Sequence, residues 1–354
     1  QGNYSEAVKA YDKAIEIKPD FYEAWNNKGF VILDQGNFLE ALKAFDKAIE
    51  IKPDFHLAWN NKGTTLDKQG NYSEAVKAYD KAIEIKPDFH VVWNNKGNAL
   101  LNDGNYPEAV KACSKAIEIK PDFYEAWYTK GSALAKQSNY SEAVKAYDKA
   151  IEIKEDYYKA WFSKGGALAE QGKFQEAMRA LNQANKLNPW DADVLIFRGL
   201  AHFRENRIEE GISDIKRSGI IHLQVHNDSV MAFDSFFCVY NHTRQQLDFI
   251  NDDVIYCILA LYLLNLDSET VIPFDTAMEV TTDLMCIIKQ NSIINEQLKR
   301  IITLTTKLTN IEIPPSMNTE VQGLENEIKD IKDEDKRKEL LVLLNLLKKI
   351  FYRS

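Results

Sequence analysis

A chain of 354 residues with nine more acidic than basic charges is a poor partner for nucleic acid, because phosphate binding needs a basic surface. Its length allows two or more domains, and its 45% apolar content is enough to bury a core. The sequence carries no signal peptide and no apolar run near the roughly 20 residues that a membrane span needs, so no integral membrane segment is expected.

From its first residue the chain runs in steps of 34. One unit, Gly36 to Asp54, has near-identical copies starting at Gly2, Gly70 and Gly104, and looser ones at Ser138 and Gly172. Single residue types recur in register: Trp25, Trp59, Trp93, Trp127 and Trp161; Gly29, Gly63, Gly97, Gly131, Gly165 and Gly199; Ala41, Ala75, Ala109 and Ala143. An aromatic row (Tyr11, Phe45, Tyr79, Tyr147) is interrupted by Cys113, and Pro19, Pro53, Pro87 and Pro121 close the units. A fixed period of this size is the signature of a solenoid.

The local pattern predicts two amphipathic helices per unit. Helix A is expected from about Phe21 to Gln35, with Asp20 as N-cap and Glu23 three residues on. Helix B is expected from Phe38 to Ile51, stopping before Pro53, since the residue before a proline is pushed out of the α region. Gly29 and Ala41 would let the two helices approach closely, with Trp25, Phe45 and Ala48 filling the space to the next hairpin. Gln1 to Pro19 reads as a lone helix B without its helix A, so the chain is expected to be a fragment of a longer array or protein. Five full repeats follow, 22–55, 56–89, 90–123, 124–157 and 158–191, and a degenerate sixth at 192–225, with Leu195 in the Trp row and Gly211 and Ser218 in the two Ala rows.

Trp, Gly, Ala, an aromatic, Ala and Pro at these spacings resemble the tetratricopeptide repeat family, over roughly Gln1 to Val225. The family's usual Leu before the Gly is Lys28, Lys62, Lys96, Lys130 and Lys164 here, and its Tyr after the Gly is an aliphatic residue. Both changes keep the packing pattern, because a lysine stem can lie along an apolar surface with its head in water. The resemblance implies an all-α, right-handed helical-hairpin solenoid.

Beyond His226 the period stops. Helices are expected near 228–241, 243–265, 274–291, 292–309, 318–333 and 336–352, forming a C-terminal α-helical domain, 226–354, that caps the array or docks on it. Val254 to Leu264 reads as a buried central helix, and Ile311 to Met317 as a linker. The final apolar face, Leu340, Leu341, Leu344, Leu347, Ile350 and Phe351, fits a core or capping helix, then a homodimer contact, then a membrane-surface helix.

No catalytic constellation stands out: no HExxH, no glycine-rich phosphate loop and no GxSxG is present, and the six histidines are scattered. Cys238 and His242 lie one helical turn apart, which is more often coincidence than a nucleophile and its base. Cys113, Cys238, Cys257 and Cys286 lie in apolar stretches without metal spacing and read as reduced thiols of a cytoplasmic protein. No enzyme activity, cofactor or metal is expected.

By resemblance, positions two, five, six, nine, twelve and thirteen of each repeat face the inside of the solenoid. They place an amide ladder there, Asn27, Asn61 and Asn95, flanked by Asn26, Asn60 and Asn94, with Asn98 beside it. Farther along come Tyr128, Phe162 and Phe197 as an aromatic end. A carboxamide both donates and accepts, so one per repeat can grip the backbone of an extended peptide, and aromatic pockets can anchor its side chains. The family's carboxylate clamp is not expected. Its lysines would fall at Asn26 and Val91, and its arginine at Asn95. The expected function is a scaffold or adaptor that binds an extended peptide or partner protein in its groove. The alternative is a sensor or regulatory part of a larger enzyme or effector.

Overall fold

In the computed structural model the described residues are 4–226, 228–243, 252–266, 298, 301 and 317–351, and all regular structure among them is helical. They fall in two compact units, residues 1–180 and 181–354. The helices expected at 274–291 and 292–309, apart from residues 298 and 301, and the linker at 311–316 lie outside the described residues.

In the first unit a lone helix, α1 (Tyr4–Ile17), precedes four hairpins. These are α2 (Tyr22–Asp34) with α3 (Phe38–Ile51), α4 (His56–Lys68) with α5 (Tyr72–Ile85), α6 (His90–Asn102) with α7 (Tyr106–Ile119), and α8 (Tyr124–Lys136) with α9 (Tyr140–Ile153). Then come α10 (Tyr158–Glu170) and α11 (Phe174–Leu187). Helix A is therefore one residue shorter at each end than the sequence suggests, and helix B matches. The N-cap also differs. It is Phe21, whose side chain accepts nothing, and the Asp20 carbonyl instead accepts from the Tyr22 N–H in the turn after Pro19.

The hairpin turn is set by backbone chemistry. Gly36 takes φ +78, and its N–H donates to Leu33 while that of Asn37 donates to Ile32, which caps the last turn of α2. Asn37 then caps α3 by accepting from the Glu40 N–H at 3.4 Å. In this row Ser138 carries φ 59, a conformation that costs a side-chain-bearing residue energy and glycine little. Ser138→Gly is expected to stabilise the fourth hairpin by about 1 kcal/mol, read as a higher melting temperature.

Packing links the rows. A Cβ on Gly29 would lie 2.7 Å from the Phe45 ring, and one on Gly63 would lie 2.6 Å from Tyr79. The close approach is thus glycine on aromatic ring, not glycine on alanine, while Ala41, Ala48, Ala75 and Ala82 are fully buried. The five tryptophans of the 34-residue row are only half-buried and staple the turns. Trp59 Nε1 donates to the Pro53 carbonyl at 2.9 Å, and the bond recurs at Trp25, Trp93 and Trp127. Because the acceptor is a backbone carbonyl, Glu155 serves Trp161 as well as proline serves the others, at 2.8 Å.

The second unit contains another hairpin, α12 (Ala192–Arg204) and α13 (Ile208–Ile221), a π-helical turn (His222–His226), α14 (Ser229–Thr243), α15 (Asp252–Leu266), α16 (Met317–Lys329) and α17 (Glu334–Phe351). Its hairpin keeps the repeat logic with other residues. Gly199 faces Ile215, Gly211 faces Phe203, Leu195 and Ser218 are fully buried, and Asn206 takes the positive φ of the turn. Val254 to Leu261 are all buried, so α15 is the central helix that the sequence suggests. Leu340, Leu343, Leu344 and Leu347 of α17 are buried in the same core, which absorbs most of that helix's apolar face.

Candidate functional site

Within the first unit successive A helices touch one another: α2 and α4, α4 and α6, α6 and α8, α8 and α10. The A helices are the more closely spaced row, so they line the inner side of its stack. This row carries the tandem asparagines.

The asparagines are joined to each other. Asn95 Nδ2 donates to Asn60 Oδ1 at 3.0 Å, and Asn60 Nδ2 to Asn61 Oδ1 at 3.3 Å. Asn61 Nδ2 donates to Asn26 Oδ1 at 3.0 Å, and Asn26 Nδ2 to Asn27 Oδ1 at 3.3 Å. Five carboxamides on three helices thus form one chain, every donor pointing the same way. The tandem Asn-Asn sequence was the visible signal. Its consequence, a bond from the second Asn of one repeat to the first Asn of the repeat before, needs the helix spacing to be known. Asn26 and Asn94 are buried, Asn60, Asn61 and Asn95 half-buried, and Asn27 exposed.

The chain stops at the fourth repeat for a chemical reason. Position 129 is threonine, whose hydroxyl donates to the Glu125 carbonyl at 3.0 Å and also lies 3.3 Å from Asn98 Oδ1. No donor reaches back to Asn94, and its buried Oδ1 has no partner. Thr129→Asn supplies the missing donor and is expected to add about 1 kcal/mol, the usual net worth of a hydrogen bond, seen in the melting temperature.

Other inner positions vary. Phe30 and Leu57 are exposed apolar groups on this face, while Leu33, expected beside them, is 4% exposed and packs with Phe45 in the core. Tyr128 is half-buried against Tyr157 and Tyr147, at 5.2 and 5.9 Å between ring centres. Phe162 is half-buried on α10. Phe197 is exposed on α12 and belongs to the second unit.

The lysine row is neutralised from the preceding helix B. Lys28 pairs with Asp12 at 2.6 Å, Lys62 with Asp46 at 2.7 Å, Lys96 with Asp80 at 2.6 Å and Lys164 with Asp148 at 2.6 Å. Each also lies over its tryptophan, 5.3 to 5.7 Å from the ring centre. Lys130 keeps the contact with Trp127, but Ser114 stands where the others have an aspartate. Four of the five lysines are therefore held in ion pairs, and the row offers little to an anion.

Among the described residues no group of three or more His, Cys, Asp or Glu is placed to hold a metal ion. Burial pushes the Cys113 thiol up to about 12, which keeps it protonated and unreactive at neutral pH. His242 stacks on Phe203 at 3.9 Å, an aromatic packing role. No helix among the described residues is long and apolar enough to cross a membrane.

No curated protein matches the chain. Among solved structures it is similar to the APC/C hetero-tetramer Cut9-Hcn1, at 19% identity and a TM-score of 0.56, over 68% of this chain and 46% of that one. The chain thus spans less than half of that protein's length. It is also similar to a tetratricopeptide repeat protein from Parabacteroides merdae, at 19% identity and a TM-score of 0.50, over 69% of this chain and 98% of that one. A third similar structure is pilF from Pseudomonas aeruginosa, at 17% identity and a TM-score of 0.51, over 67% of this chain and 99% of that one. At these identities the likeness concerns the fold. Tetratricopeptide repeat profiles match residues 1–36, 22–55, 56–89, 90–123, 128–189 and 163–217. With the glycine, aromatic and tryptophan rows in register, this establishes that the chain belongs to the tetratricopeptide repeat family.

Proposed function

We propose that the protein is a non-enzymatic interaction scaffold whose asparagine row holds the backbone of an extended peptide or of an extended segment of a partner protein. The observation that carries this reading is the one-way amide chain from Asn95 to Asn27. Each amide in it has a second N–H and a second oxygen lone pair beyond the bonds it makes within the protein. The exposed Asn27 amide ends the row, and Phe30 and Leu57 stand beside it as apolar anchors. Tyr128 and Phe162 would extend the contact along the first unit, with Asn94 and Asn98 supporting the row. Phe197 would act in the second unit.

On this reading the solenoid occupies 1–225, which the profile matches up to residue 217 support, and 226–354 caps it. A cytoplasmic location suits the buried, protonated thiols of Cys113 and Cys257. A homodimer through the C-terminal helices would have to use faces other than the buried leucines of α17.

The test is a selection from a displayed random-peptide library, followed by calorimetry of the winners. Replacing Asn27, Asn61 and Asn95 by alanine is expected to weaken binding at least about tenfold. Asn61 and Asn95 bridge helices, so a loss of about 1 kcal/mol each accompanies it. Asn27→Ala alone, at an exposed site, separates binding from folding. Undiminished binding by the triple variant would refute the proposal.

A further inference from the structure

A cavity of about 350 Å³ opens in the second unit between α13, α15 and α17. Its volume is at the small end of ligand pockets. Lys216 of α13 lines it, and this charged side chain is 5% exposed. Its ammonium lies 2.7 Å from the Asp253 carboxylate of α15 and 2.7 Å from that of Glu339 on α17. Tyr256 lines the same cavity and is 2% exposed, with Lys216 over its ring at 5.5 Å. Its hydroxyl is buried and has no hydrogen-bond partner.

Neither feature serves packing. An unpaired buried hydroxyl is unfavourable, and a buried ion pair is weak evidence for stability. Both fit a site that awaits a polar group.

The lining states which group. Besides Asp253 and Glu339 it includes Asp333 and Asp335, against Lys216 and Lys336, a surplus of two negative charges. Asp333 is spent on capping α17, its Oδ1 accepting from the N–H groups of Asp335 and Lys336 at 3.1 Å each. The Asp335 carboxylate at the mouth is exposed, and Glu339 is 29% exposed beside its bond to Lys216. Leu298 and Leu340 supply apolar wall. The complement is a cation with N–H donors on a short apolar stem. Among the described residues no carboxylate set is placed for a metal ion, and the apolar wall of Leu298 and Leu340 suits the stem of an organic cation.

We propose that this cavity binds an alkyl-ammonium or alkyl-guanidinium group. Its N–H donors are taken by the carboxylates of Asp335 and Glu339 and by the Tyr256 hydroxyl oxygen, and its stem lies along Leu298 and Leu340. The same chemistry is offered by a free diamine and by a lysine or arginine side chain of a polypeptide.

Calorimetry on the full chain distinguishes the two, with cadaverine and a capped Ala-Lys-Ala peptide as probes and glutarate as the anionic control. Heat from cadaverine alone assigns a free amine, from the peptide alone a side chain, and from both the shared chemistry. Tyr256→Phe keeps the ring and removes the orphan hydroxyl, so the free protein should melt no lower while binding weakens about tenfold, the loss of one hydrogen bond to a charged group. Asp335→Asn, at the exposed mouth, should weaken binding similarly and serves if the first variant fails to fold. No heat from either amine, equal binding of glutarate, or full affinity in a folded variant of both positions would overturn the proposal.

Discussion

Tyr147→Ala is expected to destabilise the first unit by about 3–5 kcal/mol, the scale for truncating a buried aromatic. The ring is 2% exposed and fills the space that Gly131 leaves: a Cβ there would be 2.7 Å away. Its hydroxyl donates to Ser132 Oγ at 3.4 Å, and its ring packs against Tyr128. Nothing can collapse into the void, because both flanking helices are held by their own neighbours. Tyr147→Phe removes only the hydroxyl and should cost about 1 kcal/mol. Because repeat arrays can unfold in parts, amide hydrogen exchange of α8 and α9 is the better measure, with circular dichroism beside it. A loss below that of the Phe variant would contradict this packing. Burial, only partly offset by Ser132, also pushes the Tyr147 hydroxyl up to about 12. The folded state thus keeps a proton that the unfolded chain releases near pH 10, so this contribution is present below about 10 and fades between about 10 and 12.

The second large effect is expected from Asp253→Asn combined with Glu339→Gln. Lys216 is nearly dry, and burial by itself would pull its ammonium down, but Glu339 and Asp253 outweigh that and hold it above its usual value. In the wild type its contribution is therefore complete below about pH 10.4 and is lost as pH rises through the higher folded value. With both carboxylates neutral, an unpaired ammonium is left buried, at a cost of about 3–5 kcal/mol at pH 7. The sign then reverses. The folded value falls below that of the unfolded chain, so the double variant gains stability as pH rises toward 10. Adding Lys216→Met should restore most of the loss. Melting temperature against pH reads all three, and a double variant that melts like the wild type would remove Lys216 from the list of buried, paired charges.

The hairpin array was legible in the sequence because its signals are local and repeated. The bounds of helix B follow from Pro53, and the turn from Gly36. The cap at Phe21 was not legible, since Asp20 satisfies the side-chain rule and loses to the backbone geometry of the Pro-Asp turn. Asparagine at positions five and six was legible as a ladder. Its internal bonding was not, because the bond joins residues 35 apart and depends on how closely α2, α4 and α6 approach. The end of the ladder at Thr129 could have been read from residue identity alone. The cavity at Lys216 could not, as its lining comes from α13, α15, the start of α17 and the distant Leu298, with no shared motif.

Helices α1, α5 and α9 have the same fourteen-residue sequence, YSEAVKAYDKAIEI. Gly63 receives Tyr79 from α5 in the same way that Gly131 receives Tyr147 from α9. An exchange of these two helices between A helices would lose little packing, and side chains alone do not prevent it. Within one chain the covalent order prevents it, since a swapped helix must loop out a whole hairpin. Between two chains no such loop is needed. Refolding at high concentration should therefore give interlinked oligomers, held by native contacts made to the wrong molecule. The odd helices α3 and α7, with Phe45 and Cys113 in the aromatic row, keep identical sequences from being immediate neighbours and restrict which exchanges are isoenergetic.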